Sequence, residues 1–364
     1  MTIANELTKL NTNLTNSYTA VSDKGGTLPQ AQNFDNLATA ISSIPSGGVG
    51  ITREVSAQGV YQMPISNFTF SLPSNATSVG LAALQYAFQN CTGLTSVDLS
   101  SLTSLNEEKC LASAFQNCTN LTSVDLSSLS TFGGGNYGLQ SAFNGCTSLT
   151  SVDLSSLTTI DNGSNNMDNT FSRCTSLTNL DLSSLTSIKS NGALGSAFYG
   201  CTKLISADFS GLMEMDGENT MFSAFSGCSN LESINFNNLQ HIGTNTSSSV
   251  YANFRQCFQN CTKLTSIYFP KLEKIYCKNT NSLFGTFSYC NKIQKLYFPK
   301  LDTITYPDGA STSNQTACKN IFYSCSSLTE LHFGAANQAA IEASLGYSTA
   351  WGRGAGNVTI YFDL

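Results

Sequence analysis

The apolar residues of this chain follow a pattern that repeats around a cysteine. A Phe stands three residues before the cysteine, and a Leu or Ile stands three residues after it. Two further apolar residues follow, as in "AFQNCTGLTSVDL" at 87–99. The nine cysteines at the centre of this pattern are Cys91, Cys118, Cys146, Cys174, Cys201, Cys228, Cys261, Cys290 and Cys325. Their spacings of 27, 28, 28, 27, 27, 33, 29 and 35 residues predict supersecondary units that stack on one another.

Each unit predicts one coil of a solenoid. Val97 and Leu99 alternate with polar residues, which is the period of a half-buried strand. Leu102 and Leu105 have counterparts in later copies and are predicted core positions on a return path. We therefore predict an α/β solenoid whose coil is a short helix or turn, a strand, a bend and a return. One coil cannot bury its apolar face alone, so the strands should stack into a parallel β-sheet on the concave face.

The pattern Phe-x-x-Cys-x-x-Leu-x-x-Val-x-Leu resembles the BspA-like leucine-rich repeats of bacterial surface proteins and some phage proteins. The resemblance covers nine copies over residues 81–334. Residues 51–80 are a predicted N-terminal cap and degenerate first coil, with "NFTFSLPSNATSVG" at 67–80. Residues 335–364 are a predicted C-terminal cap that ends in the alternating segment "NVTIYFDL". Such caps would cover the open ends of the core.

The first 44 residues have a different pattern. Apolar residues at alternating steps of four and three form a heptad seam. The seam consists of Ile3, Leu7, Leu10, Leu14 and Val21. A second short amphipathic helix carries Phe34, Leu37 and Ile41, and a flexible linker follows at 45–50. We predict a helical hairpin for attachment or oligomerisation, with a homotrimer as one candidate assembly, or a hairpin that merely caps the solenoid.

The "KGGTLP" turn, followed by a helix that ends near "ISSI", resembles the N-terminal segments of phage tail-associated and baseplate-associated proteins. The resemblance implies tail or baseplate proteins as partners of residues 1–44. It also implies release by host lysis, which needs no secretion signal.

Composition favours a folded protein without membrane insertion. Hydrophobic residues make up 41% of the chain and charged residues 11%, and no apolar run approaches the length of a membrane-spanning helix. The net charge of -6 conceals an asymmetry. Residues 81–235 hold 13 acidic and 4 basic residues, whereas residues 236–334 hold 4 acidic and 9 basic residues. We expect no nucleic-acid partner.

The 13 cysteines raise the question of disulfides or metal. Nine of them occupy one repeated position between core residues, where a free thiol acts as a small buried hydrophobe. Parallel stacking does not supply the converging Cβ vectors of a disulfide, although a disulfide framework is the alternative. The other four cysteines are Cys110, Cys257, Cys277 and Cys318. Cys257 and Cys261 would share a short helical turn, but with only His241 and His332 in the chain we predict no metal site and no cofactor.

The search for catalytic motifs is negative. Neither histidine lies in a nucleophile-elbow motif. The glycines of "GGGNYG" and "GRGAG" lack the Lys-Ser/Thr of a phosphate-binding loop, so they indicate loops. We therefore expect a protein that is not an enzyme.

One residue of each predicted strand, seven after the cysteine, should face solvent on the sheet. In order these residues are Asp98, Asp125, Asp153, Asp181, Asp208, Asn235, Tyr268, Tyr297 and His332. The five acids form a predicted acidic ladder, in which flanking serines such as Ser96 and Ser100 would donate hydrogen bonds to the carboxylates. A row of Ca²⁺ sites is the alternative, but a flat ladder offers few converging oxygens.

The basic coils carry the predicted ligand site. The segments "SIYFPKLEKIY" and "KLYFPKLDTITY" place tyrosines and lysines on adjacent coils. The candidate ligand-binding residues are Tyr268, Lys271, Tyr297, Lys300 and His332. Basic groups and stacking aromatics together suit an anionic or carbohydrate polymer of a bacterial cell surface.

These patterns favour a non-catalytic recognition protein, and the resemblance of the N-terminal segment implies that it belongs to a phage or prophage tail. It would be located in the virion and would bind a bacterial surface polymer or protein through the solenoid. A secreted or cell-surface BspA-like adhesin is the first alternative, and a structural spacer of the virion is the second.

Overall fold

The computed structural model describes residues 68–71, 77–243, 253–276, 283–305, 321–339, 341 and 358–364. In these residues the chain winds into a parallel β-solenoid of about eight turns. The N-terminal hairpin predicted for 1–44 and the linker predicted for 45–50 lie outside the described residues.

The first face of the solenoid has one strand in each repeat, where the alternation predicted it. The strands of this first sheet are β1 (Phe68–Ser71), β2 (Leu94–Asp98), β4 (Ser123–Asp125), β6 (Ser151–Asp153), β8 (Asn179–Asp181), β10 (Ser206–Asp208), β12 (Ser233–Asn235), β14 (Ser266–Tyr268), β16 (Lys295–Phe298), β18 (Glu330–Phe333) and β19 (Thr359–Phe362). They form three parallel hydrogen-bonded sections of this face, β1-β2-β4-β6, β8-β10-β12 and β14-β16-β18-β19, which together are called the first sheet. Because equivalent residues are register partners, residues seven after each cysteine form a row.

The return path forms a second sheet, which the sequence did not predict. Its strands are β3 (Ser104–Leu105), β5 (Thr131–Phe132), β7 (Thr159–Ile160), β9 (Ser187–Ile188), β11 (Glu214–Met215), β13 (His241–Ile242), β15 (Lys274–Tyr276) and β17 (Thr303–Thr305). The eight strands are hydrogen-bonded in one continuous parallel sheet. The residue fourteen after each of the first eight repeat cysteines, such as Leu105 or Phe132, is buried, so the predicted return-path core is confirmed for these coils.

The third side of each coil is a series of turns. Within the described part of the nine repeats there is no α-helix, which corrects the predicted α/β class to a solenoid of sheets and turns. Every fourth residue has a positive φ, as at Asn165 (54°), Asn169 (55°) and Arg173 (60°), and this interrupts helical geometry. Alternate N–H groups donate to the next coil instead, as Phe171 does to the carbonyl of Ala197 at 2.8 Å. The turns therefore join coils as the sheets do.

The core is built around columns of equivalent residues. The Phe rings three before the cysteines stack from Phe88 to Phe322, with centroids 5.2–5.8 Å apart between neighbours. Each repeat cysteine after the first lies against the Phe carbonyl of the preceding coil, as Cys174 Sγ does 3.2 Å from the oxygen of Phe143. Phe171 and its counterparts in the middle coils are fully buried.

The cysteines in the described residues are buried and free. They are Cys91, Cys110, Cys118, Cys146, Cys174, Cys201, Cys228, Cys257, Cys261, Cys290 and Cys325. The core-thiol prediction is therefore confirmed for the nine repeat cysteines, and Cys110 and Cys257 are buried and free as well. Cys257 and Cys261 lie in and directly after a series of turns rather than on a helical turn. Burial raises the pKa of the Cys146 and Cys201 thiols to about 12. Cys277 and Cys318 lie outside the described residues.

The two ends of the first sheet are strands from the predicted cap regions. β1 pairs in parallel with β2, and β19 pairs in parallel with β18. A short 3₁₀ helix, Ala335–Asn337, precedes β19 in the chain. Among the described residues, no helix has the length and hydrophobicity needed to cross a bilayer.

Candidate functional site

The acidic ladder lies on the first sheet in the order that the sequence predicts. Asp98, Asp125 and Asp153 are register partners on β2, β4 and β6, and Asp181 pairs with Asp208 on β8 and β10. The first four carboxylates line an open depression with a volume of about 720 Å³. Its floor is the inward row of the sheet, including Val97, Val124 and Val152.

Each ladder carboxylate closes the turn that follows its strand. Its Oδ1 accepts a hydrogen bond from the backbone N–H two residues on, with N···O distances of 2.7–3.0 Å. The donors are Ser100, Ser127, Ser155, Ser183 and Ser210. The Ser155 hydroxyl also donates to Asp153 at 2.7 Å, and this bond and the backbone bond hold the pKa of Asp153 below its usual range. A turn-closing role therefore accounts for the recurrence of Asp at this position of the repeat.

An aromatic row continues the ladder on the last strands of the same sheet. Tyr268, Tyr297, His332 and Tyr361 are successive register partners on β14, β16, β18 and β19. The Tyr268 and Tyr297 rings meet edge to face at 5.9 Å. His332 stacks between Tyr297 at 5.0 Å and Tyr361 at 4.8 Å. Tyr268 is 50% exposed and Tyr361 38% exposed, so the row presents aromatic surface to solvent. Sequence analysis missed Tyr361, although its place in "NVTIYFDL" is the outward position of an edge strand.

A polar network fixes the orientation of His332. Its Nδ1 lies 2.9 Å from Asp363 Oδ1, and its Nε2 lies 2.9 Å from Glu330 Oε2. Lys295 Nζ contacts the same Glu330 oxygen at 2.7 Å. Partial burial lowers the pKa of His332, but the hydrogen bonds to Asp363 and Glu330 outweigh it, so the net pKa is raised. The charge of this imidazole therefore depends on pH near neutrality.

The two predicted lysines flank the aromatic row at the turns after β14 and β16. Lys271 is exposed, and its Nζ donates to Asn238 Oδ1 of the preceding coil at 2.6 Å. Lys300, the equivalent residue of the next coil, is also exposed. The structure thus places the five predicted ligand-binding residues on three consecutive coils.

Three side chains with metal-ligating atoms meet on the second sheet, a cluster that sequence analysis missed. Glu214 on β11, Asp216 just after it and His241 on β13 bring one ligand atom each within 4.8 Å of one another. Among the described residues, no other three side chains of this kind lie so close together. The carboxylates of the acidic ladder do not form such a group. The available signal was the repeat alignment, which puts these residues 13 or 15 positions after their cysteines in adjacent coils.

The described architecture defines a class of protein, the leucine-rich repeat solenoid, which is typically a non-enzymatic binding scaffold. The protein-family model of the BspA type leucine rich repeat region matches residues 60–167 and 142–306 of this chain. The chain belongs to this family. No significant match was found among curated proteins.

Several solved bacterial structures are similar to this chain. A leucine-rich repeat protein of T. pallidum has 25% sequence identity and a TM-score of 0.36, with 54% of this chain and 78% of that chain covered. A leucine-rich cell surface protein of Faecalibacterium prausnitzii has 14% identity and a TM-score of 0.28, with 82% and 89% covered. A leucine-rich repeat protein of Bacteroides ovatus has 18% identity and a TM-score of 0.25, with 81% and 92% covered.

Proposed function

We propose that the solenoid is a non-catalytic recognition protein that binds a polymer of a bacterial cell surface through the aromatic row of its last coils. The observation that carries this proposal is the register of Tyr268, Tyr297, His332 and Tyr361 on one sheet face. Four aromatic side chains in line, on a rigid scaffold, offer a preformed platform for an extended ligand.

The chemistry of this row suits a carbohydrate that carries negative charge. Aromatic rings contact the apolar faces of sugar rings, and their rigid side chains lose little rotamer entropy on binding. Lys271 and Lys300 lie beside the row, at the turns after β14 and β16, and are exposed to solvent, where they attract anionic groups. The carboxylates of the acidic ladder, on the preceding strands, would repel such a ligand and limit the contact to the last coils.

Two biological settings have separate support. The resemblance of residues 1–44 to tail-associated and baseplate-associated segments supports a phage or prophage tail, with the virion as location. BspA-like repeat proteins are typically found at the cell surface, which supports a secreted or surface adhesin as the second candidate. In both settings the repeats would make the contact with the ligand.

The binding proposal is tested by adsorption of the purified full chain to bacterial cells and to their isolated surface polysaccharide. We expect adsorption to both, and soluble polysaccharide should compete with the cells. Adsorption that protease treatment of the cells abolishes would contradict a polymer ligand and identify a surface protein instead. Absence of adsorption across a panel of candidate hosts would refute the recognition role.

Fractionation of the producing culture separates the two settings. A tail protein should sediment with assembled particles, and deletion of residues 1–48 should remove it from them while leaving the repeats folded. An adhesin should instead follow the cell envelope. A truncated chain that unfolds would show that the N-terminal segment is a cap of the solenoid.

A further inference from the structure

We propose that Glu214, Asp216 and His241 bind a divalent transition-metal ion on the outer side of the second sheet. Their ligand atoms already lie within 4.8 Å of one another, and all three residues are partly buried. The proposal concerns a different face from the aromatic row and does not depend on the recognition function.

The backbone positions these three side chains. Glu214 and Asp216 are two residues apart, and the intervening Met215 is fully buried, so the two carboxylates leave the backbone on the outer side. His241 is the register partner of Glu214 on the neighbouring strand. Adjacent strands are about 4.8 Å apart, which lets side chains from two coils converge on one ion. A bound ion would thus join two consecutive coils.

The two carboxylate oxygens of Glu214 have different partners. Oε1 accepts a hydrogen bond from Lys189 Nζ at 2.6 Å and lies 3.2 Å from Ser187 Oγ. Oε2 lies 3.8 Å from Nε2 of His241, which is too long for a hydrogen bond. Two ligands of one zinc ion are about 3.4 Å apart in tetrahedral geometry. A small side-chain rotation would therefore bring these two atoms to ligating distance.

An unpartnered carboxylate oxygen is a second observation that favours a cation at this cluster. Oδ1 of Asp216 is enclosed and has no hydrogen-bond partner among the described residues. A carboxylate oxygen withdrawn from water loses free energy unless a hydrogen bond or a cation compensates for it. A metal ion between Asp216, Glu214 and His241 would supply that compensation.

The surrounding charges accommodate a divalent ion. Asp161 joins the cluster through Ser187, whose hydroxyl donates to its Oδ1 at 2.7 Å, so three carboxylates lie close together. Lys189 is paired with Glu214, and Lys274 is the register partner of His241 on the next strand. The carboxylates favour a cation and the two lysines oppose it, so we expect moderate affinity.

The ligand set selects the class of metal. Imidazole nitrogen with carboxylate oxygen suits Zn²⁺ and neighbouring first-row ions, whereas Ca²⁺ prefers oxygen ligands in larger number. Three protein ligands are fewer than the four of a closed structural zinc site, so at least one position stays open to water or to a donor atom of a bound molecule.

Calorimetric titration of the full chain with Zn²⁺ tests the proposal. We expect one equivalent to bind, and both His241→Ala and Asp216→Asn to weaken the affinity at least about tenfold. His332→Ala is the matched control, because it removes the other histidine and should leave the affinity unchanged. The metal-free variants should melt as the metal-free parent does, which would show that lost binding does not reflect misfolding.

Cobalt substitution distinguishes this site from the cysteines. A Co²⁺ complex of the proposed ligands lacks the near-ultraviolet charge-transfer band of thiolate ligation. Appearance of that band, unchanged affinity in both variants, or failure of the parent chain to bind Zn²⁺ would each overturn the proposal. Equal binding of Ca²⁺ that His241→Ala does not weaken would also overturn it, because the ligands would then be oxygen atoms alone.

Discussion

At the scale of single residues, the repeat cysteine combines two properties that the core needs. The thiol is a small buried hydrophobe, and it donates to a Phe carbonyl of the preceding coil, which also accepts the backbone N–H of that coil's own cysteine. Cys201 and Cys228 lie 3.2 and 3.1 Å from the oxygens of Phe171 and Phe198, respectively. An alanine would remove this additional hydrogen bond between coils, which favours a cysteine at this position of the repeat.

Because these thiols are buried, we expect them to react slowly with thiol reagents. At neutral pH the thiolate is the reactive form, and burial raises the pKa of Cys201 to about 12. We expect the eleven described cysteines to resist a thiol reagent in the native protein and all 13 to react after denaturation. Reductant should leave the melting temperature unchanged. Rapid labelling of the native core, or a melting temperature that depends on oxidising conditions, would contradict this account.

The Phe column predicts a large penalty for truncation. Phe171→Ala would remove a fully buried ring that stacks on both Phe143 and Phe198, and we expect a loss of about 3–5 kcal/mol in the free energy of unfolding. Ser100→Ala is the control, because it removes one exposed hydroxyl hydrogen bond and should cost under about 1 kcal/mol. Similar losses in denaturant unfolding would show that the inward and outward assignments are wrong.

At the scale of elements, sequence predicts the first sheet better than the turns. The strands after each cysteine show a clear alternation, so their register and outward row were predictable. Apolar positions seven and three before the cysteine and at the cysteine itself, such as Leu111, Phe115 and Cys118, fit helical spacing equally well. Periodicity therefore could not distinguish these turns from a helix. The two-residue strands of the second sheet are too short to show any periodicity.

The signal that does identify the turns is chemical. Left-handed φ values recur nine, five and one residue before the cysteine, where Asn, Gly and Ser are frequent, as at Asn219, Ser223 and Gly227.

The metal cluster was missed because its three residues do not occupy one position of the repeat. It combines two offsets within one repeat and a third residue from the next repeat, and a search of one column at a time does not find it.

At a glycine with a left-handed φ, an added side chain should destabilise the fold even where there is room for it. Gly200 has a φ of 69°, and an added Cβ would meet only ordinary contact with Arg173 Cγ at 3.7 Å. We expect Gly200→Ala to cost about 1 kcal/mol because of its conformation. Gly134, with open space around it and no left-handed φ, is the matched control, and Gly134→Ala should be neutral in thermal unfolding. Equal effects would remove the conformational explanation.

The network at His332 predicts pH-dependent stability of the last coils. Because the folded pKa is raised, the stabilising contribution of His332 is fully present below its ordinary value of 6.5 and is lost as pH rises through the raised value. Hydrogen exchange of β18, corrected for intrinsic rates, should therefore show less protection as pH rises through this range. His332→Asn should remove the dependence and His241→Asn should retain it. Persistence in His332→Asn would assign the effect to another group.

At the scale of the whole molecule, one sheet carries two chemically different surfaces. The carboxylates of the acidic ladder accept hydrogen bonds within the turns that follow their strands. The aromatic row, on the last coils, presents exposed rings beside lysines. The extra residues of the longer repeats follow β13, β15 and β17 in the sequence and lie outside the described residues.

The measurement that tests the account most directly is a set of adsorption isotherms on host cells for the purified chain, Tyr268→Ser and Asp125→Ser. Both substitutions replace an outward residue of the first sheet, so they are matched in position. We predict that Tyr268→Ser weakens adsorption at least about tenfold while Asp125→Ser leaves it nearly unchanged. Loss of adsorption with Asp125→Ser but not with Tyr268→Ser would contradict the account and assign binding to the acidic ladder.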